Sequence, residues 1–474
     1  MNTFRMAMLA GLVLLCACAV GPKYVRPEVD VPPDFRGGGG AAAAGAATAG
    51  DMGWWEVYRD PVLQDLIRAA LERNHDVRLA AERVLAAEAQ LGITRADQFP
   101  SVGGVGEYQV GRTSREGYVT TPGYPYVQRN HTLALSAFFE VDLWGRLRRA
   151  TEAARAELLA TEAARRTVTL TLVGGVAAGY FGLRELDLEL DIAERTLASR
   201  QKSLDLVRAR QTGGVSSMLE VDQAQGLVSA AAAAIPDIKR RIAQQENFLS
   251  LLLGRNPGDI PRGRALTEHV LGVAVPVGLP SSLLERRPDI GQAEQQLIAA
   301  NARIGVARAA YFPQITLTGA AGTMSKDFNN LFSGPSWTWN FLPQVSVPVF
   351  TAGKIRSGVR VSESQQRQAL IQYERTIQNA FREVADAMVA YRRQLEYVAE
   401  LQKLTDTLAD QARLSRLRYT GGVTSYLEVL DSERQFFDAE INLARAQLAE
   451  LVALVDLYKA LGGGWREPPP AAQP

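Results

Sequence analysis

Chemistry needs side chains that converge, and few in this chain do. His75, His131 and His269 stand in three separate segments, without the close spacing of a metal-binding pair. Both cysteines, Cys16 and Cys18, lie near the N-terminus, so the rest of the chain has no disulfide framework, cysteine nucleophile or zinc cluster. Gly213-Gly214 and Gly421-Gly422 follow helical patterns rather than strands, and each precedes another helical pattern. Helix-reversing turns explain them better than phosphate loops do. No catalytic constellation is visible, so no enzyme is expected. The one suggestive set is Leu427, Asp431 and Arg434, four and three residues apart and therefore on one helix face, with Glu428 one residue round. In an assembly of three copies, an acid facing a narrow axis forms a ring whose self-repulsion and attraction for cations can gate or select. Taken alone, the same residues also describe a solvated helix face with ordinary pairs.

The elements that must position this set are long. From Val359 to Thr420, and again from Val423 to Leu461, there is neither Gly nor Pro. A helix across the first segment would be roughly 90 Å long. Leu370, Ile377, Phe381, Val384, Met388, Tyr391, Leu395 and Val398 step by four and three after a first step of seven, a coiled-coil seam. A similar pair of helices is expected from about Arg146 to Gln211 and Ser217 to Leu253, interrupted at Gly174, Gly175, Gly179 and Gly182 and kinked at Pro236. The resemblance between the two hairpins is literal. Thr212-Gly213-Gly214-Val215 with Leu219-Glu220-Val221 reappears as Thr420-Gly421-Gly422-Val423 with Leu427-Glu428-Val429. Upstream, Asn74-His75-Asp76 with Gly92 and Phe99-Pro100 matches Arg287-Pro288-Asp289 with Gly305 and Phe312-Pro313; subtracting 76 from 289 gives an offset of 213. The chain is a tandem duplication of about two hundred residues per copy.

Between short helix and long hairpin each copy turns to strand chemistry. Leu133, Leu135, Ala137, Phe139 and Val141 alternate with Thr132, Ala134, Ser136, Phe138 and Glu140, and Val345, Val347 and Val349 with Gln344, Ser346 and Pro348. Their partners are expected at about Ser101 to Gly111 and Gln314 to Gly322, across loops bearing Tyr118, Tyr124 and Tyr126 or Phe328, Phe332 and Trp337. Strands of about ten residues with one apolar face carry the weak signature of a membrane β-barrel. Four strands cannot close one, and open edges in lipid cost several kcal/mol per unpaired group. Two copies would give an eight-stranded barrel filled by its own side chains, whereas three give twelve strands and room for water, so a homotrimer is expected. Tyr108, Trp144, Trp337 and Trp339 would suit an interfacial aromatic belt.

The N-terminus suggests where the chain lives. Residues 1–17 read as a signal peptide, since the apolar stretch from Met6 to Leu15 is too short to span a bilayer. Leu15-Cys16-Ala17-Cys18 resembles a bacterial lipobox, with Cys18 the residue to carry a covalent lipid and Ala19 favouring the outer membrane. No other cofactor is implied. Residues 18–52, rich in Pro, Gly and Ala, read as a lipidated tether, with folded structure beginning near Trp54-Trp55. Repeat 1 is then 53–260, repeat 2 is 261–465, and 466–474 is a tail. With 52 basic and 51 acidic residues, interspersed, nothing points to nucleic acid.

The run Pro276 to Ile290, the run Asn301 to Pro313, Gly21-Pro22 with Tyr24, and Tyr458 to Trp465 resemble the outer-membrane factor family, the TolC-like efflux channels, in its lipoprotein NodT-type branch. The resemblance covers essentially the whole chain. It implies a mainly helical fold with a membrane β-barrel, four β-strands per chain, and long antiparallel helical hairpins in two repeats. A trimer would form a twelve-stranded barrel and a twelve-helix tunnel, belted by about Trp54 to Asn74, Arg255 to Leu284 and the tail. It further implies a passive exit duct in a tripartite pump, partnered by a periplasmic adaptor, an inner-membrane transporter and outer-membrane lipid. By the same resemblance Leu427 and Asp431 line a periplasmic constriction, Glu428 adds an acidic ring, Arg434 pairs nearby, and Glu220 of the first hairpin reaches Tyr419. Adaptor docking would use the tips Gly213, Gly214, Val215, Ser216 and Gly421, Gly422, Val423, Thr424, where missing side chains admit a partner helix, although turn geometry alone also accounts for the glycines. Cargo would be drugs or other small toxic molecules; type I protein secretion, or a non-conducting envelope lipoprotein, are the alternatives.

Overall fold

The computed structural model describes residues 19–32, 35, 52–114, 116, 126–269 and 280–465. The expectations for the signal peptide, Cys18, the Gly/Ala run, Tyr118, Tyr124 and the tail lie outside the described residues. In chain order the elements are α1 (Trp54–Val57), α2 (Pro61–Arg73), α3 (His75–Ala96), β1 (Ser101–Arg112), β2 (Val127–Val141), α4 (Arg146–Thr212), α5 (Met218–Leu252), α6 (Pro280–Arg286), α7 (Pro288–Ala309), β3 (Gln314–Ser325), β4 (Trp337–Ser346), α8 (Lys354–Thr420) and α9 (Tyr426–Ala460). Among the described residues the chain is mainly helical, with four strands and two long hairpins, and follows the predicted plan. It divides into two compact units.

The first unit holds residues 19–28 with Arg83–Glu162 and Gln292–Tyr373. Its sheet runs β1-β2-β3-β4, every neighbour antiparallel, and the β2–β3 pairing (Val141 opposite Ile315) joins the two copies. β1 and β4 are therefore edges, and their residues are exposed throughout. Two strand expectations change. β4 begins at Trp337, expected in the loop, and ends at Ser346, so Val347, Pro348 and Val349 lie beyond it. Pro343 sits inside β4 opposite Leu317, tolerable because an edge strand has one side whose N–H groups need no partner within the chain.

The expected tether is in part docked. Val20 donates its N–H to the carbonyl of Trp144, and Asn301 donates to the carbonyl of Pro22. Tyr24 donates to Glu294, which also pairs with Arg26 at 3.1 Å. A Cβ on Gly21 would stand 2.5 Å from the Cα of Gly305, so this backbone crossing needs both glycines. The duplicated Gly92 has open space at the same point, so only the second copy uses the gap. Packed structure thus begins before Trp54.

In the second unit (the described parts of Val29–Glu82, Ala163–Gly291 and Glu374–Pro474) each copy closes on itself in the same way. Asn74 caps α3 with its side-chain oxygen and donates its amide to the carbonyl of Leu252 at the end of α5. At the matching place in repeat 2, Arg287 donates to the carbonyl of Ala460 at the end of α9 and holds Asp289 and Glu383. Gly254 and Gly462 end the returning helices at φ +67° and +78°, where an L side chain is strained. Around these closures Trp54, Tyr58, Leu63, Ile67, Tyr180, Phe181, Leu249 and Tyr458 form the main core, each large apolar side chain contributing about 1.5–3 kcal/mol of burial. Phe35 is buried against Leu283, Val384 and Leu461, which also contradicts a tether free of any core.

The first long helix is more regular than expected. α4 runs unbroken through Gly174, Gly175, Gly179 and Gly182, and α5 through Pro236. The glycines are contact points: a Cβ on Gly179 would press on Leu249 at 3.0 Å, and Gln245 donates to the carbonyl of Gly179. On α8 the predicted seam holds at Ile377, Val384 and Met388, but Leu395 is exposed. The stripe continues through half-buried Gln394, Val398, Leu401 and Leu408 and buried Thr405, Ala412, Ser415 and Tyr419, in alternating steps of four and three, with small and polar residues at most of its fully buried positions.

Candidate functional site

The two hairpin ends lie in the second unit and share one turn. At the first, the N–H of Gly213 meets the carbonyl of Ala209 and that of Val215 the carbonyl of Arg210; at the second, Gly421 meets Leu417 and Val423 meets Arg418. Gly214 and Gly422 take φ +75° and +74°. A Cβ on either would meet nothing within 4 Å, so the positive φ, not crowding, calls for glycine. Gly213, Gly214, Val215, Gly421, Gly422 and Val423 are exposed, Ser216 and Thr424 partly so. All eight tip residues predicted for docking therefore lie at the surface of the single chain.

Beneath the turns a small apolar cluster holds the hairpins together: Leu204 and Val207 of α4, Val221, Ala224 and Val228 of α5, Tyr419 of α8, Tyr426 and Val429 of α9. Tyr419 and Tyr426 meet edge to face at 5.3 Å, and the guanidinium of Arg210 lies 4.7 Å over the Tyr419 ring while bonding its carbonyl. Burial pushes the Tyr426 phenol above its ordinary range. The partner of the Tyr419 hydroxyl is Ser216, at 3.2 Å, and not Glu220 as expected. The reason is local: Ser217 caps α5, accepting the N–H of Glu220, and Ser216, one residue earlier in the turn, is the group that faces Tyr419.

On the outer turn of α9, Leu427 is exposed, Glu428 and Asp431 partly so. Asp431 accepts from Arg434 at 3.1 Å and from Gln435 at 2.6 Å. Glu428 takes the hydroxyl of Thr424 and pairs with Arg418 at 3.5 Å. Such half-exposed pairs contribute little stability, typically below about 1 kcal/mol. Their weight lies in where they hold charge.

The heptad pattern, read for hydrophobes, misses a buried polar layer one turn and more behind the tip. Buried Ser415 and Ser432 share a 2.5 Å hydrogen bond, Arg416 pairs with buried Glu433 at 2.6 Å, and Arg416 also donates to Ser199. Buried Arg200 donates to the carbonyl of Leu227 and stacks on Phe437 at 5.2 Å; burial lowers its proton affinity. A groove of about 460 Å³ runs beside these groups, between α4, α8 and α9. The available signal was polar residues at heptad core positions, Ser415 and Ser432 above all, which specify register where Leu would not. Among the described residues no group of three His, Cys, Asp or Glu could hold a metal, and no helix is long and apolar enough to cross a membrane.

The family model of outer membrane efflux proteins matches residues 66–255 and 279–463 of this chain. The solvent efflux pump outer membrane protein SrpC of Pseudomonas putida is 40% identical over 470 residues, covering 98% of each chain. The cation efflux system protein CusC of Escherichia coli K12 is 37% identical over 451 residues, 95% of this chain and 97% of its own. Among solved structures, CusC, described in terms of folding and transmembrane channel formation, superposes with a TM-score of 0.85 at 36% identity, covering 94% of this chain and all of that one. The open state of the Neisseria gonorrhoeae MtrE outer membrane channel superposes equally well, 0.85 at 33% identity over 95% of this chain and 99% of its own.

Proposed function

The chain belongs to the outer membrane efflux protein family, and from that premise we propose that three copies close one continuous duct, lipid-anchored in the outer membrane and reaching into the periplasm. The observation that carries the reading is the sheet. Four strands end in two unpaired edges, β1 and β4, of 12 and 10 residues, and apolar side chains such as Val102, Leu135, Phe341 and Val345 stand exposed in the single chain. Lipid tolerates neither an open edge nor a partial barrel. Three copies supply twelve strands and an interior wide enough for water.

In this assembly the second hairpins form the gate. Leu427 and Asp431 line the constriction, Glu428 adds a second acidic ring and Arg434 holds Asp431 in place, while Tyr419 and Glu220 lie at the seam with the first hairpin. A periplasmic adaptor docks at the eight tip residues and loosens the second hairpins; an inner-membrane transporter supplies the energy, and no catalytic step occurs in this chain. Cys18 carries the lipid. Relatives named for solvent and cation efflux favour small toxic molecules as cargo over secreted proteins.

The mass of the detergent-extracted complex tests the closure: three subunits are expected, and a stable monodisperse monomer would end the duct reading. Single-channel current in a planar bilayer distinguishes a duct from an envelope brace. Asp431→Ala is expected to raise the resting conductance, and an unchanged value would remove Asp431 from the gate.

A further inference from the structure

A second cluster of charge, roughly 35 Å along α4 from its turn, has no part in the tip chemistry. Glu185 and Glu189 lie one helical turn apart on α4 and are 2% and 1% exposed. Glu189 spends both oxygens on arginines: Arg241 of α5 donates at 2.6 Å and Arg445 of α9 at 2.7 Å. One carboxylate of the first hairpin thus holds the returning helices of both hairpins. Glu185 stands one turn before Glu189 on the same helix, and each carboxyl bears on the other's charge. Two carboxyl groups one turn apart and out of water ionise together only at high cost, which favours one keeping its proton. One oxygen of Glu185, Oε1, is buried without a partner, which a neutral carboxyl bears far better than an anion.

The charges facing Glu185 are Glu189 from its own helix, Arg241 from α5 and Arg445 from α9. Burial first, then the nearby Glu189, push the Glu185 carboxyl up to about 8 despite the two arginines. Burial also works against the Glu189 anion, but the hydrogen bond from Arg445, with the field of both arginines, outweighs it and holds that carboxyl below its ordinary range. The arginine side chains reach solvent, 34% and 55% exposed, so a second anion beside them is poorly compensated.

Resting on the duct reading above, we propose that Glu185 and Glu189 form a proton-dependent clamp about which the second hairpin pivots. With Glu185 protonated, Glu189 keeps Arg445 and α9 against α4; without that proton, two buried anions one turn apart push the clamp open. Glu185 binds its proton more tightly in the clamped state than a solvated glutamic acid does. The clamp is therefore strongest below about pH 4.5, weakens as pH rises toward about 8, and gains nothing from protonation above that.

The test uses the full-length protein in planar bilayers at about pH 6 and about pH 8, above the range in which solvated carboxylates titrate. The open fraction of the wild type is expected to rise at least about tenfold across this window, and Glu185→Gln, whose amide mimics the neutral acid, is expected to abolish most of the rise. A flat wild-type profile, or a variant that rises as the wild type does, overturns the clamp and leaves the duct intact. If the wild type passes no current at all, the duct reading itself fails. In that case, or if the variant does not assemble, amide exchange of residues 441–449 in the wild type decides. Corrected for the intrinsic rate, protection there must fall between the two pH values, and unchanged protection overturns the proposal.

Discussion

The two hairpin ends have nearly superimposable turns and different side chains. Val215 and Val423 close the turns onto the carbonyls of Arg210 and Arg418 at 2.8 and 2.9 Å, and Gly214 and Gly422 differ by one degree in φ. Yet where the second hairpin has Tyr419, Asp431 and Arg434, the matching positions of the first, 208 residues earlier, hold Gln211, Gln223 and Gly226. Tyr426 is buried, while its counterpart Met218 is exposed. Duplication kept the turn, which is a backbone requirement, and let the chemistry diverge. The first hairpin supplies Leu204, Val207 and Val221 for the second to lean on, and in the duct proposed above it serves as the wall while the second adds the Asp431 and Arg434 charges that the first lacks.

The largest break in this comparison should come from Tyr419→Ala. The ring is buried among Tyr426, Arg210 and the apolar cluster, and removing it leaves a cavity and two lost polar contacts, about 3–5 kcal/mol locally. Gln211→Ala, its counterpart, sits on an exposed surface and should change stability by no more than about 0.5 kcal/mol. Limited trypsin digestion and bilayer conductance check both: the tyrosine variant is expected to be cut within the second hairpin and to leak current, the glutamine variant to match the wild type. Equal behaviour of the pair would mean that the hairpins share the work.

Much of this asymmetry could be read from residues, because gly-gly turns, heptads and a repeated motif are local signals. The strands and the long helices were legible for the same reason, as was the face shared by Leu427, Asp431 and Arg434. What could not be read was contact across the fold. Leu395 sits in the predicted seam but faces out, while Gln394, one residue earlier, donates to the carbonyl of Ala446. A hydrophobic period cannot register a polar residue doing a hydrophobe's job. Gly174, Gly175, Gly179 and Gly182 read as interruptions because a long helix rarely holds four glycines, yet each of them gives a neighbouring helix room. Ser216 in place of Glu220 beside Tyr419 depends on how one turn is oriented against another hairpin, and no spacing along one chain segment contains that information.

An intermediate effect sharpens the shared half of the comparison. Gly214→Ala and Gly422→Ala each force an L side chain into the left-handed region without any steric neighbour, at a cost of about 1–2 kcal/mol. Because the conformations match, the two costs should agree within about 0.5 kcal/mol in heat or denaturant unfolding of the extracted protein. A second-hairpin glycine that proved markedly more sensitive would show that its turn is under a strain the first does not share.

The smallest stability effect carries the sharpest functional contrast. Asp431→Asn preserves shape and the Gln435 contact but removes one charge from a half-exposed pair with Arg434, so folding should shift by less than about 0.5 kcal/mol. In the proposed trimer three such charges around an axis attract cations, so their loss should reduce the reversal potential measured across a salt gradient, most clearly at low ionic strength where screening is weak. Gln223→Asp places an acid at the matching position of the first hairpin. If only the second hairpin faces the constriction, this added charge leaves the reversal potential where it was. A first-hairpin acid that raised cation preference as much as Asp431→Asn lowers it would place both hairpins on the pore and undo the division between wall and gate.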